Sequence, residues 1–181
     1  MNAATRQKLL DLVKERAVIR QRVTLASGKT SDFYIDGRSL YLFGPAATLL
    51  GEAIYELTKG LNLAALGGPE VGALPLTAAA TMHYHKVGIP MEGFFVRKEA
   101  KTHGLQKKVE GVLPPGGRVA IVEDVMTTGG SAISAVKAVQ EAGATVAAVV
   151  CVVDRLQGAG EQFAALGIPF RPAFTLRDLG L

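Results

Sequence analysis

Residues 119–131 read V-A-I-V-E-D-V-M-T-T-G-G-S. An apolar run ends in two adjacent carboxylates, Glu123 and Asp124, and Thr127-Thr128-Gly129-Gly130-Ser131 follows ahead of a helical stretch. The second half suits a phosphate. Glycines let backbone N–H groups approach an anion closely. A helix N-terminus adds unpaired donors and a partial positive charge. The hydroxyls of Thr127, Thr128 and Ser131 supply further donors. The carboxylates need a different explanation, because they repel phosphate. They are suited to accepting from sugar hydroxyls or to facing a cationic centre. A ligand with phosphate at one end and a diol about one sugar away satisfies both halves, which describes a ribose 5-phosphate. The plainer alternative is Thr/Ser capping beside a solvated acidic pair. A cap uses one hydroxyl and leaves the rest of the array unexplained.

A second segment, residues 96–111, reads V-R-K-E-A-K-T-H-G-L-Q-K-K-V-E-G. Arg97, Lys98, Lys101 and His103 fall close together on a glycine-bearing stretch. Positioned cations stabilise negative charge, including charge that develops on an anionic leaving group. A loop closing over the site would exclude water from a reactive ribose centre. The bland alternatives are a solvated basic loop or a nucleic-acid contact. The formal net charge of the whole chain is +4. Arg97–Lys108 alone holds five Lys+Arg and one acid, so it accounts for that whole excess. A local anion site fits this better than a diffuse nucleic-acid surface.

The elements that must position these segments follow from periodicity. Ala4–Arg16 has helical spacing. Val18 to Leu25 reads as strand, Ser27-Gly28 as turn and Phe33–Asp36 as a short strand. Gly44-Pro45 opens a helix that ends before Gly60. Strand 61–66, a Gly-rich loop at Gly67–Gly72, helix 73–86 and strand 90–96 come next. Residues 97–115 read as a polar loop, Arg118–Val122 as a buried strand and Ser131–Ala142 as a helix. Val146–Val153 is the most apolar strand; a short helix at 161–166 and a terminal strand and tail complete the chain. Short apolar strands alternating with helices predict an α/β fold, with a mostly parallel central sheet flanked by helices. Ligands of such sheets bind beyond the carboxyl ends of the strands. The Gly67–Gly72 and Glu123–Ser131 loops are both expected there. No linker divides the chain, so 1–181 is expected to be one domain.

Composition excludes other classes. Cys151 is the only cysteine, which rules out an internal disulfide framework and a multi-cysteine zinc site. It is expected to be a buried thiol in a reducing, cytoplasmic setting. The longest clean apolar run has eight residues, against roughly 20 for a membrane span, so no membrane partner is expected. His83 and His85 lie two apart on a predicted helix, the wrong spacing for both to face one zinc. The Ser27-Gly28-Lys29-Thr30 segment has Val23 where a Walker A loop needs its first glycine.

The strand–acid–acid–T-x-G-[GT]-[ST] stretch resembles the phosphoribosyl pyrophosphate (PRPP) motif of type I phosphoribosyltransferases. The basic segment R-K-x-x-K-x-H-G resembles, more narrowly, the catalytic loop of orotate phosphoribosyltransferases. Ser27-Gly28-Lys29-x-Ser31-x-Phe33-Tyr34-x-Asp36, Val152-Val153-Asp154-Arg155 and the tail from Gly167-Ile168-Pro169 to Thr175-Leu176 are similar to that family too.

The resemblance implies a type I phosphoribosyltransferase fold, with an N-terminal helix and hood over residues 1–43 and a flexible basic loop over 97–115. It implies transfer of the phosphoribosyl group of PRPP to orotate in pyrimidine synthesis. The alternatives are a phosphoribosyltransferase for another nucleobase or a PRPP-sensing regulator. Mg²⁺ is implied as cofactor, carried mainly by PRPP's own oxygens, with no protein metal ligand. The implied PRPP-binding span is Glu123, Asp124, Val125, Met126, Thr127, Thr128, Gly129, Gly130 and Ser131, with Arg97, Lys98, Lys101 and His103 on pyrophosphate. Lys101, His103 and Asp124 are implied as catalytic. Orotate would meet Thr127, Arg155 and an aromatic, Phe33 or Tyr34. A homodimer sharing the basic loop between subunits is implied, and no nucleic-acid partner. One departure stands out: some family members place a lysine in the loop where this chain has Val71, and Glu70 is an awkward neighbour for pyrophosphate.

Overall fold

A computed structural model describes residues 1–24, 30–99 and 108–181. The sequence expectations for Ser27, Gly28, Lys29, Lys101 and His103 lie outside the described residues. Helix α1 (Ala3–Leu12) is capped by Asn2, whose side chain accepts the Thr5 N–H, and continues as a π-turn over Val13–Ala17. Two small antiparallel ladders follow. One pairs β1 (Val18–Ile19) with β4 (Tyr34–Ile35); the other pairs β2 (Val23–Thr24) with β3 (Thr30–Ser31). Over its described residues, 18–24, the expected strand from Val18 to Leu25 is therefore two short pieces. The Gln21 N–H turns back onto the Ile19 carbonyl and breaks the extended run. Helix α2 (Arg38–Tyr41) joins this hood to α3 (Gly44–Thr58), which has Pro45 in its first turn, where a missing N–H costs nothing.

The alternating part then begins: β5 (Ala65–Pro69), α4 (Ala73–Lys86), β6 (Glu92–Val96), β7 (Val109–Gly111), β8 (Arg118–Met126), α5 (Gly130–Glu141), β9 (Thr145–Asp154), α6 (Ala159–Ala165), β10 (Phe170–Thr175) and α7 (Leu176–Leu179). The six-stranded sheet has the order β10-β9-β8-β5-β6-β7, parallel except for β7. The chain steps from β5 outward to β6, and from β8 outward in the opposite direction to β9 and β10. The crevice between β5 and β8 is thus the point where strand order reverses, the favoured ligand position of open α/β sheets.

Both sheet faces are covered, which is why the central strands are apolar throughout. Leu66, Ala120, Val122 and Val150 pack with Leu50, Ile54 and Leu76 from α3 and α4, and with Leu9 and Val13 from the N-terminal segment. Ala65, Val119, Ile121 and Val149 pack on the other face with Ala135, Val136 and Val139 of α5 and Phe163 of α6. Each fully buried large side chain of this kind contributes about 1.5–3 kcal/mol.

Three boundaries near the candidate site differ from the sequence expectation. Gly67, Gly68 and Pro69 belong to β5 and not to a loop. A side chain at Gly67 would collide with the Phe94 carbonyl, and one at Gly68 with the Val122 carbonyl, so these glycines let β6 and β8 close against β5. Strand β8 continues through both acids to Met126, because β9 keeps pairing with it: Val125 with Val153, Met126 with Asp154. Residues 109–111 of the expected basic loop form β7, folded back on β6.

Candidate active site

The β8–β9 register assembles one half of the site. Met126 stands opposite Asp154, and the Arg155 N–H donates to the Met126 carbonyl at 2.8 Å. Arg155 therefore emerges beside the Thr127–Ser131 turn. Its residue is 5% exposed, and its Nε has no hydrogen-bond partner. The guanidinium lies over the Phe33 ring, 5.1 Å from its centroid, and one of its nitrogens reaches Ser31 Oγ at 3.5 Å. Burial lowers its pKa, while the neighbouring Tyr34 hydroxyl opposes that shift. A buried guanidinium without a carboxylate is costly unless a ligand completes it. Thr127, Arg155, Phe33 and Tyr34 are thus brought to one place. Phe33 carries the guanidinium and Tyr34 is the more exposed ring.

The Thr127–Ser131 turn has the features of an anion cradle. Gly129 sits at the N-cap of α5 with φ +88°, a left-handed conformation that favours glycine. No side chain caps α5, and its first turn holds no acid. Helices α1 and α7, by contrast, have Asn2 and Thr175 as capping side chains. The uncapped N–H groups at the start of α5 are donors of the kind an anion takes. Gln162 of α6 supports the turn by donating to the Thr128 carbonyl at 2.8 Å. Nothing in the local sequence around 123–131 signals that contribution.

The two carboxylates do not share one environment. Consecutive strand residues turn to opposite faces. Asp124 is held between hood and core. A side chain at Gly37 would collide with it, and a Cβ at Gly72 would lie 2.9 Å from its carboxyl carbon. Its Oδ1 accepts the Val125 N–H at 2.8 Å. Burial raises its pKa, partly offset by that backbone bond. Tyr41 stands close enough that the Asp124 charge adds to the effect of burial in raising its hydroxyl pKa. Glu123 is in register with Cys151, and its Oε2 is buried without a partner. Burial first, and the Asp124 charge second, push its pKa up to about 8. Cys151 is buried as expected, and burial pushes its thiol pKa well up.

The second half of the site lies at the ends of β5 and β6. Glu70 Oε1 accepts the Lys98 N–H at 3.0 Å, and the Glu70 N–H donates to the Val96 carbonyl at 2.9 Å. Arg97 Nε is buried without a partner. Helix α4 begins at this turn with no side-chain cap and no acid in its first turn. Val71 is 70% exposed. Two uncapped helix N-termini thus leave the carboxyl end of the sheet, and the one at Gly72 lies against Asp124.

Comparison with known proteins agrees with this geometry. Residues 46–165 match the phosphoribosyl transferase domain family. The chain is 47% identical over 175 residues to the orotate phosphoribosyltransferase of Mycobacterium avium, covering 97% of this chain and 96% of that one. The chain belongs to the orotate phosphoribosyltransferase family. Solved structures of the Mycobacterium tuberculosis orotate phosphoribosyltransferase superpose closely on it. Its complex with Fe(III) dicitrate has a TM-score of 0.87 at 43% identity, covering 98% of this chain and 99% of that one. Its complex with PRPP has a TM-score of 0.83 at 40% identity, with the same coverage.

Orotate phosphoribosyltransferases are expected to work with Mg²⁺, and the donor set here can be tested for it. Among the described residues no three His, Cys, Asp or Glu side chains gather as a metal cage. Glu123 and Asp124 nevertheless offer the hard carboxylate oxygens Mg²⁺ takes, and Glu123 Oε2 lacks a protein partner. The residues fit an ion that arrives largely coordinated by its substrate. No helix among the described residues is long and apolar enough to cross a membrane.

Proposed function

We propose that this chain transfers the phosphoribosyl group of PRPP to orotate, giving orotidine 5′-monophosphate and pyrophosphate in pyrimidine biosynthesis. The observation that carries the choice of orotate is Arg155. It is a buried guanidinium with an unpartnered Nε beside the phosphate turn. Its fork matches a planar carboxylate. A neutral purine or uracil would leave it uncompensated.

In this reading the Thr127–Ser131 turn holds the 5′-phosphate on the α5 N-terminus. Glu123 and Asp124 take the ribose hydroxyls, and Asp124 favours positive charge developing on the ribose. A nitrogen–carbon bond forms to orotate as the carbon–oxygen bond to pyrophosphate breaks. Arg97, Lys98, Lys101 and His103 stabilise the leaving pyrophosphate. Thr127 and the ring of Phe33 or Tyr34 position orotate for attack. Mg²⁺ carried on PRPP oxygens supplies neutralisation of the pyrophosphate charge. The working form is a cytoplasmic homodimer in which Lys101 and His103 serve the partner's site.

The test is direct. Protein, PRPP and Mg²⁺ are mixed with orotate, and loss of orotate absorbance is followed; uracil, adenine and hypoxanthine are run in parallel. Orotate consumption with none of the other bases supports the reading. Turnover of another base without orotate would reject it.

A further inference from the structure

Glu70 looks misplaced if its carboxylate faces pyrophosphate. The geometry gives it another partner. Strands β5 and β6 are parallel neighbours, with Pro69 opposite Val96 at their carboxyl ends. Just beyond, Glu70 bonds to β6 twice. Its N–H donates to the Val96 carbonyl at 2.9 Å, and its Oε1 accepts the Lys98 N–H at 3.0 Å. These contacts bracket Arg97. The Arg97 N–H is itself taken by the Lys108 carbonyl at 2.9 Å. The backbone at Val96, Arg97 and Lys98 is thereby tied on both sides, at the end of β6 beside the turn that leads into α4.

We infer that Glu70 is a positioning residue that holds Arg97 and Lys98 beside the Gly67–Gly72 segment so that both segments can bind one pyrophosphate. The inference rests on the proposed function for the identity of the anion. Val71 brings no cation to the β5 end, so charge for pyrophosphate must come from β6. An anion that spans two strand ends binds well only when their spacing is set in advance. A carboxylate accepting a backbone N–H makes a strong, directional tie. It is not needed to hold the strands together. The β5–β6 ladder has five residue pairs before Glu70 is reached, and the Glu70 side chain is half-exposed.

The test compares Glu70→Ala with Glu70→Gln in the full chain. The glutamine keeps an oxygen that accepts the Lys98 N–H and loses the charge. In Glu70→Ala the KM for PRPP and the Ki for pyrophosphate should rise about fivefold, with the orotate KM and the melting temperature little changed. Glu70→Gln should stay within about twofold of wild type. Hydrogen exchange at the Lys98 amide, measured without ligand, should speed up in Glu70→Ala and be restored in Glu70→Gln. Wild-type PRPP affinity in Glu70→Ala overturns the inference. So does tighter pyrophosphate binding in both variants, which would mean that the carboxylate merely repels the anion. Equal loss in both would mean that charge, and not the bond, matters, and overturns it too. If wild type does not turn over orotate, the proposed function fails; the exchange measurement still decides whether Glu70 makes the tie.

Discussion

The turns after β5 and after β8 leave the same sheet edge and feed helices with uncapped N-termini, yet they use glycine differently. After β8, Gly129 provides a left-handed backbone that opens donors toward a ligand. In β5, Gly67 and Gly68 let neighbouring carbonyls close in. The β8 turn has three hydroxyls within five residues, whereas the β5 turn has none and carries Glu70 and Val71. In the proposed function, one turn is a binding device built from local chemistry. The other is a packing device whose ligand role depends on what β6 brings beside it.

This contrast can be broken most severely at Gly68. Gly68→Ala places a methyl against the Val122 carbonyl of β8, at a residue paired with Phe95 of β6. Overpacking of backbone on backbone should cost about 3 kcal/mol, read as a lowered denaturant midpoint, whether or not ligand is present. A stable variant with weakened PRPP binding would erase the distinction between the turns.

The β8 side should show its character through pH. The Glu123 carboxyl is raised to about 8, whereas in the unfolded chain it titrates near 4.3, roughly the ordinary value. The native state therefore holds a proton that the unfolded state has released across that window. Stability from this group is complete below the ordinary carboxylate range and falls as pH rises toward 8. Unfolding free energy should drop by up to about 5 kcal/mol over that interval in the ligand-free protein. Glu123→Gln should flatten most of the slope in urea titrations at a series of pH values. An unchanged slope would place the proton elsewhere.

A smaller effect is expected at Gly129. Gly129→Ala forces an L-residue to φ +88° and brings its methyl within 3.2 Å of the Phe163 ring. The strain of about 1–2 kcal/mol should reshape the cradle and raise the PRPP Kd about tenfold, with the fold retained by circular dichroism. The smallest change sharpens the contrast from the β5 side. Val71→Lys adds an exposed cation to the turn that lacks one and should lower the PRPP KM about two- to threefold. No change would mean that the β5 turn lies out of reach of pyrophosphate.

Much of this molecule was legible in its sequence for identifiable reasons. Helix α4 was read with its observed ends because Gly72 and Gly88 bracket one unbroken helical run. The apolar alternation was enough for the parallel sheet, since strands buried on both faces leave little room for polar residues. Local motifs were enough for the family. Boundaries at the site were less legible. The apolar pattern stops at Val122, but β8 runs to Met126, because pairing with β9 and not hydrophobicity holds its end. Gly67 and Gly68 looked like loop because a sequence does not reveal which carbonyls will press on a glycine.

The sequence by itself determined what is local: the phosphate-type turn, the adjacent acids, the clustered bases and the helix starts that follow from residue type and spacing. Tertiary structure alone decided which distant residues meet. Arg155 lies over Phe33, with Ser31 at its edge, because the hood folds across the end of β9. Asp124 is hemmed in by Gly37 and Gly72 from two separate segments. Glu70, which the sequence presents as a charge conflict, is engaged by a backbone donor 28 positions away. Each of these depends on strand order and register, which bring together residues whose separation along the chain carries no sign of the contact.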